Sequence, residues 1–172
     1  MENVTTLWGS ARWILERTKA RAATEVWQTA RFAVPLYRFA EHLKAAVAKG
    51  LEDHDLLPAE FEVLQSLYLA GPDTALKPSD LYRALLMSSG GITKLLKSLT
   101  ARGLIDIRPD PADRRQKAVK LSETGCARFA AALEDVIAAE HAIISTAFPE
   151  ETGDQAAIAA LLAQAINRVE CS

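Results

Sequence analysis

Cysteine is scarce in this chain, and that scarcity excludes a disulfide-rich scaffold. The two cysteines, Cys126 and Cys171, lie far apart and form no Cys-x-x-Cys pair, which fits a reducing cytosol. Glycine and proline are also few, at eight and seven residues, so extensive disorder is not expected. Because 49% of the residues are hydrophobic, the chain can bury a sizeable core, and its length suits one domain.

Long hydrophobic runs are missing as well. No apolar run approaches the roughly 20 residues that a membrane span requires. The N-terminus lacks the basic region, apolar core and small-residue cleavage site of a signal peptide. We therefore expect no membrane partner and a cytoplasmic location.

The residues that carry catalysis or bind metals are not arranged for either task. The three histidines, His42, His54 and His141, are scattered, and we find no nucleophile–base pair and no glycine-rich phosphate loop after a strand. The acidic turn at 52–55 could bind a cation, but the pattern favours a solvated loop before a helix. The sequence predicts no enzyme, no catalytic residue, no metal and no cofactor.

Positive charge is not abundant, but it is concentrated. The formal net charge is −2, whereas residues 83–120 carry nine lysines and arginines against three aspartates. A local basic surface on an acidic protein can steer DNA to one face.

The segment 78–121 contains that basic surface. Its pattern predicts a short helix over 79–86, a second helix over 91–102, and two short strands around a charged tip. The second helix has an apolar stripe at helical spacing, and Gly103 follows as a C-cap. The stripe consists of Ile92, Leu95, Leu96 and Leu99. Helix, turn, helix and a two-stranded ribbon make a winged helix-turn-helix.

Four stretches of this segment resemble the MarR family of bacterial transcriptional regulators. They are Leu-Leu-Met-Ser-Ser-Gly-Gly-Ile-Thr at 85–93, Leu-Thr-Ala-Arg-Gly-Leu-Ile at 99–105, Asp-Pro-Ala-Asp-Arg-Arg at 110–115, and Val-Lys-Leu-Ser-Glu-Thr-Gly at 119–125. The Asp-Arg-Arg wing followed by Leu-Ser-x-x-Gly is a specific signal, and the resemblance extends over about residues 33 to 169.

The resemblance implies a mainly α (α+β) fold with a small β-wing. We expect an N-terminal helical extension over 1–32, a dimerisation helix over 33–56, the winged helix-turn-helix over 57–121, and a long helix with a C-terminal dimerisation helix over 122–172. The family also implies a small strand at 74–76 that pairs with the wing.

Local signals predict where the flanking helices begin and end. Helical spacing predicts a helix over 4–22, Thr24 is a candidate cap for the next, and Pro35 either kinks that helix or begins a new one from Leu36. Ser79 is a candidate cap of the first motif helix, and Ser122 of a long helix over 123–147. A last helix is predicted over 154–169.

The predicted partner is double-stranded DNA, bound by a homodimer. Hydroxyls and lysines of the second helix would meet bases and phosphates in a major groove, and wing arginines would enter a minor groove. The candidate DNA-binding residues are Ser88, Ser89, Gly91, Thr93, Lys94, Lys97, Ser98, Arg108, Asp113, Arg114, Arg115 and Lys117. In the family pattern the aspartate holds the wing arginine, and Arg115 matches the more regular arginine position. The alternative is a winged helix that binds a protein partner.

Regulation rests on weaker signals. The resemblance implies a crevice for a small aromatic or phenolic effector, and aromatic residues or histidine could line it, although such residues at helical spacing also fit a plain core. The candidates are Trp27, Tyr37, His42, Phe61 and Tyr68. For Cys126 the sequence favours a buried structural cysteine over a redox switch.

Overall fold

A computed structural model describes residues 20–72, 74–110, 115–150 and 153–171 of the chain. It divides into two compact units, residues 1–44 and 45–172. The predicted helix over 4–22 lies outside the described residues, except for its last three positions. None of the helices in the described ranges is long and apolar enough to span a bilayer.

In the part of the chain that the structure describes, the first helix, α1, runs without interruption over Ala20–Gly50 and carries Pro35 inside it. The candidate cap at Thr24 is therefore wrong, and of the two alternatives for Pro35 the new start at Leu36 is excluded. Position 33 falls inside the helix. A proline in a helix interior removes one backbone hydrogen bond and crowds the carbonyl four residues earlier, but the surrounding alanine, leucine and arginine residues favour helix. A short 3-10 turn follows at Glu52–His54.

Three helices form the centre of the second unit. They are α2 (Pro58–Ala70), α3 (Pro78–Ala84) and α4 (Ser89–Ala101). The predicted cap at Ser79 is wrong, because the amide of Lys77 donates to the Asp80 carboxylate at 3.2 Å and Pro78 occupies the first turn. Proline suits that position because its missing N–H has no partner within the helix anyway.

The wing consists of β1 (Ile105–Pro109) and β2 (Lys117–Leu121). They pair antiparallel, with Ile107 opposite Val119. Leu76 forms an isolated antiparallel bridge to Val119, which confirms the extended segment predicted to pair with the wing. The amide of Asp110 donates to the carbonyl of Gln116 at 3.0 Å and closes the base of the wing tip.

Two helices complete the chain, α5 (Glu123–Ala147) and α6 (Asp154–Glu170). The predicted limits of α5 are confirmed, and Ser122 caps it, since its Oγ accepts a hydrogen bond from the amide of Gly125 at 2.9 Å. The predicted last helix is confirmed to within a residue at its C-terminal end.

The core of the second unit lies where α2, α4, the wing and α5 meet. Its largest fully buried side chains are Phe129, Leu64, Leu67, Leu81, Ile92, Leu99, Leu104, Ile105, Val63 and Val119. The ring of Phe129 lies 5.0 Å from that of Phe61 and 4.9 Å from that of Tyr68, between centroids. The predicted mainly helical fold with a small β-wing is confirmed.

Candidate nucleic-acid interface

The helix α4 is amphipathic in the way that its sequence predicts. Ile92, Leu96 and Leu99 are buried in the core, while Lys94 and Lys97 are exposed. After the helix, Gly103 adopts a left-handed backbone with φ of 67°, which a glycine reaches without a steric penalty. The apolar stripe therefore turns both lysines to solvent.

The N-terminus of α4 is capped by a serine hydroxyl group. Ser88 is the N-cap, and its Oγ accepts a hydrogen bond from the amide of Gly91 at 3.1 Å. Thr93 donates its hydroxyl to the carbonyl of Ser89 at 2.8 Å. Ser88, Ser89 and Thr93 are all exposed, so their remaining lone pairs and hydrogen-bonding capacity are accessible at the end of the helix where the dipole favours anions.

The structure brings residues of α4 and the wing together. Thr93, Lys97 and Lys117 line one open groove of about 400 Å³ between α4 and the two strands. Arg108 on β1 and Arg115 at the end of the wing turn are exposed. The wing residues Asp113 and Arg114 lie outside the described residues.

Ser98 does not have the orientation expected from helical periodicity. Its hydroxyl points into the protein and donates to Oε1 of Glu60 at 2.6 Å. Arg102, which contributes to the basic count of the segment, also turns inward. Its Nη1 donates to Oε2 of Glu60 at 2.8 Å, and its Nη2 donates to the carboxylate of Asp55 at 3.0 Å. Both side chains are engaged with acidic partners rather than pointing outward beside Lys97.

Glu60 is the residue of this region that sequence reasoning missed. Among the described residues it is the one buried charged side chain, at 2% exposure. Burial by itself raises the pKa of the carboxyl, but hydrogen bonds from Ser98 and the Leu57 amide, with the Arg102 guanidinium, outweigh it and lower the pKa. A signal was present: Glu60 shares a helical stripe with Leu64 and Leu67, and a charge on an apolar stripe needs a partner.

The candidate effector residues occupy different environments. Trp27, Tyr37 and His42 lie on α1 in the first unit, where Tyr37 is 71% exposed. Phe61 is buried in the core of the second unit, and Tyr68 is partly exposed. Tyr68 contributes to an open cavity of about 580 Å³ between the end of α2 and the start of α5. The residues that line it are Leu67, Tyr68, Gly71, Pro72, Lys120, Leu121, Ser122, Glu123 and Cys126.

Cys126 is exposed rather than buried, so the expectation of a buried structural cysteine is wrong. It follows Gly125, the residue whose amide donates to the Ser122 cap. Cys126 lies on a side of α5 that faces the cavity instead of the core. Within the described ranges, no group of three or more histidine, cysteine, aspartate and glutamate side chains could hold a metal ion.

The fold and the exposed cations define a winged helix-turn-helix protein. A family model described as MarR family matches residues 54–116. The HTH-type transcriptional regulator YkoM of Bacillus subtilis is 33% identical over 97 residues, which cover 54% of this chain and 61% of YkoM. PecS of Dickeya dadantii is 28% identical over 106 residues, covering 62% of this chain and 64% of PecS. The chain thus spans less than two thirds of either relative, and its residues 54–116 are similar to the MarR family.

Solved structures agree with this fold. A cysteine-to-serine mutant of MarR from Escherichia coli, complexed with operator DNA, superposes with a TM-score of 0.67 at 22% identity and covers 82% of this chain and 95% of that chain. BpsR of Bordetella bronchiseptica, whose DNA binding is regulated by 6-hydroxynicotinic acid, gives a TM-score of 0.67 at 25% identity. It covers 79% of this chain and 93% of BpsR.

Proposed function

We propose that this chain is a DNA-binding transcriptional regulator, most simply a repressor, that acts as a homodimer on a roughly palindromic operator. The observation that carries the proposal is the groove in which Lys97 of α4 and Lys117 of β2 meet. A helix flanked by a cationic wing fits the surface of duplex DNA, where a helix reads the major groove and neighbouring cations meet phosphates.

Each part of this surface would have its own role. Lys94 and Lys97 would contact base edges or phosphates, and Ser88, Ser89 and Thr93 would meet phosphates at the N-terminus of α4. Arg108, Lys117 and the wing arginines would contact the backbone and the adjacent minor groove, since an arginine suits a narrow minor groove. Arg114 and Arg115 are the wing arginines to which we assign this role.

The homodimer is supported by large apolar side chains that the single chain leaves exposed. On α6, Leu161 is 66% exposed and Val169 is 77% exposed, and both share a face with Ile158, Leu162 and Ile166. On α1, Phe32 is 72% exposed. A second copy of the chain would cover such faces, and two α4 helices about 34–36 Å apart would meet successive major grooves.

Comparison with relatives supports the same proposal. MarR has been solved in complex with operator DNA, and YkoM and PecS are both named transcriptional regulators. A protein with the proposed function is not an enzyme and acts on DNA in the cytoplasm.

We also propose a small aromatic acid as effector, bound in the cavity beside Tyr68. The residues that line that cavity include Tyr68, two leucines and Lys120, with Glu123 beside them, and an aromatic side chain and a lysine suit a ring that carries a carboxylate. An effector can release DNA only if it binds the DNA-competent and DNA-incompetent states with different affinity.

The test adds 6-hydroxynicotinic acid or benzoate and measures both the melting temperature of the protein and the release of operator DNA, with a Tyr68→Ala variant as control. Failure of both acids to alter either readout would remove the cavity from the proposal.

The experiment that tests DNA recognition is selection from random duplexes, followed by titration of the selected sequence over a range of salt concentrations. We expect a palindromic consensus and an affinity that falls steeply with salt, because phosphate contacts release counterions. Lys97→Ala should lower the salt slope by about 1, whereas Lys49→Ala, an exposed lysine on α1, should leave it unchanged. A chain that enriches no sequence and binds all duplexes weakly would refute the proposal.

The alternative is a winged helix that binds a protein partner. It is disfavoured by the exposed lysines of α4, because such a face would be apolar or acidic in an assembly module. The salt titration separates the two functions, since an apolar protein interface depends weakly on salt.

A further inference from the structure

Glu60 joins two helices through a single buried carboxylate. It lies in the first turn of α2, where Oε2 accepts a hydrogen bond from the amide of Leu57 at 3.1 Å. The same carboxylate accepts the Ser98 hydroxyl and the Arg102 guanidinium from the C-terminal part of α4. One acidic group thus ties the start of α2 to the end of the helix proposed to read DNA.

Arg102 extends this connection to the turn that precedes α2. Its Nη2 donates both to the carbonyl and to the carboxylate of Asp55. Asp55 has a φ of 51°, a left-handed conformation that is uncommon for a residue with a side chain. The neighbouring His54 is held on α5, because its Nε2 lies 2.7 Å from Oδ2 of Asp135 and its carbonyl accepts from Arg128 at 2.9 Å. The backbone next to Asp55 is therefore tied to α5.

The apolar stripe of α4 cannot by itself fix the rotation of the helix about its axis. Burial of Ile92, Leu96 and Leu99 is favourable but nondirectional, so a small rotation of the helix about its axis changes it little. Hydrogen bonds are directional and weaken when their angle is distorted. For a side chain about 6 Å from the helix axis, a rotation of ~15° moves its end by about 1.5 Å, which is enough to break a contact with a base edge.

We infer that Glu60, Ser98 and Arg102 form a clamp that fixes the rotation of α4 against α2, so that operator specificity depends on three residues that do not themselves contact DNA. They are positioning residues, and the inference rests on the proposed DNA-binding function. It assigns Ser98 a role different from the base or phosphate contact that helical periodicity suggests. A buried ion pair often adds little net stability compared with apolar side chains, so the role that we infer for it is to fix the geometry of α4.

The first test measures DNA binding by the full-length chain carrying Ser98→Ala, Glu60→Gln or both changes. Affinity is measured for the selected operator and for an unrelated duplex over a salt series. We expect the ratio of specific to nonspecific affinity to fall about fivefold to tenfold in each single variant, with the salt slope unchanged. The double variant should lose about as much as the more strongly affected single variant, because Ser98 acts through its hydrogen bond to Glu60.

Two matched variants give the comparison. Glu62→Gln alters an exposed carboxylate on the same helix and should leave the ratio unchanged. Lys97→Ala removes a proposed contact and should lower the salt slope by about 1. If Ser98→Ala also lowers the slope, or leaves the ratio unchanged, Ser98 is not a positioning residue and the clamp is refuted.

The second test does not need DNA, so it separates failure of the clamp from failure of the proposed function. Amide hydrogen exchange is measured on the intact chain, and Ser98→Ala should speed exchange in the last turn of α4 while leaving the central amides of α5 unchanged. This mild variant carries the test if Glu60→Gln does not fold. Unchanged exchange in α4 overturns the clamp whether or not DNA binds. Faster exchange there, in a chain that binds no duplex, supports the clamp and refutes the DNA-binding function.

Discussion

Gly125 lies against the carbonyl group of Leu104, so closely that a Cβ atom on Gly125 would stand 1.9 Å from the carbonyl oxygen. The same carbonyl accepts the amide of Ser122 at 3.2 Å, and the Ser122 hydroxyl donates to the carbonyl of Gly103 at 2.7 Å. The start of α5 is thus fixed directly to the segment between α4 and β1. This contact sets where the wing begins relative to α4.

Gly125→Ala is expected to destabilise the fold by about 1–3 kcal/mol, the usual cost of overpacking a tight contact. The clash is with backbone, which cannot move aside as a flexible side chain can. Chemical denaturation of the two proteins gives the difference in the free energy of unfolding. Gly90→Ala is the matched control, because nothing lies within 4 Å of an added Cβ there. It should stabilise the fold by up to about 1 kcal/mol, and equal effects of the two substitutions would contradict the packing argument.

Leu86 carries strain in the turn between α3 and α4. It is 92% exposed and has a φ of 52°, a left-handed conformation that costs a residue with a side chain about 1–2 kcal/mol. Leu86→Gly should therefore raise the free energy of unfolding by up to about 1 kcal/mol, after allowance for the greater freedom of glycine in the unfolded chain. Thermal unfolding measures it. Leu85→Gly, at a neighbour packed against the core, should instead lower the melting temperature.

The lowered pKa of Glu60 predicts how stability changes in acid. A carboxyl whose pKa is lower in the folded chain than its usual value of 4.5 contributes stability that is fully present above that value. The contribution is lost as the pH falls through the lowered folded pKa, because the folded state must then take up the proton. Denaturation curves between pH 7 and pH 3 should show a smaller loss of stability for Glu60→Gln than for the unsubstituted chain. Parallel curves would show that Glu60 is not the group responsible.

The limits of several elements could be predicted from the sequence because local chemistry decides them. Ser122 is a hydroxyl cap that the chain uses as expected, and Phe148-Pro149 follows the end of α5 at Ala147. The start of α3 was mispredicted because two cap signals compete there. Lys77 is the N-cap, and its amide donates to the carboxylate of Asp80 three residues later, so Ser79 lies inside the first turn.

The orientation of Ser98 could not be predicted from periodicity alone. A helical wheel assigns it to the outer side of α4, next to Lys94, but its partner Glu60 is 38 residues earlier in the chain. A single strong hydrogen bond to a buried carboxylate outweighs the preference of an isolated serine for water. Lys94 and Lys97 are exposed, as expected.

Arg115→Ala tests the role proposed for the wing. We expect operator affinity to fall at least about tenfold, because an arginine in a minor groove contributes both charge and shape recognition. The far-ultraviolet circular dichroism spectrum and the oligomeric state should not change, since Arg115 is exposed. Lys49→Ala removes a cation outside the proposed interface as a control. Operator affinity that stays the same in Arg115→Ala at physiological salt would exclude this arginine from the interface.

The apolar face of α6 gives a test of the proposed homodimer. Ile166 is 54% exposed in the single chain, and in a dimer interface its replacement by aspartate would bury an unpaired charge. We expect Ile166→Asp to shift the chain toward monomer at micromolar concentration in analytical ultracentrifugation. Operator affinity should fall with it, because a monomer reaches only one half-site. Gln164→Asp places the same charge on the opposite side of α6 and should leave both the mass and the affinity unchanged. If the Ile166→Asp chain sediments with the same mass as the unsubstituted chain, α6 does not hold two subunits together.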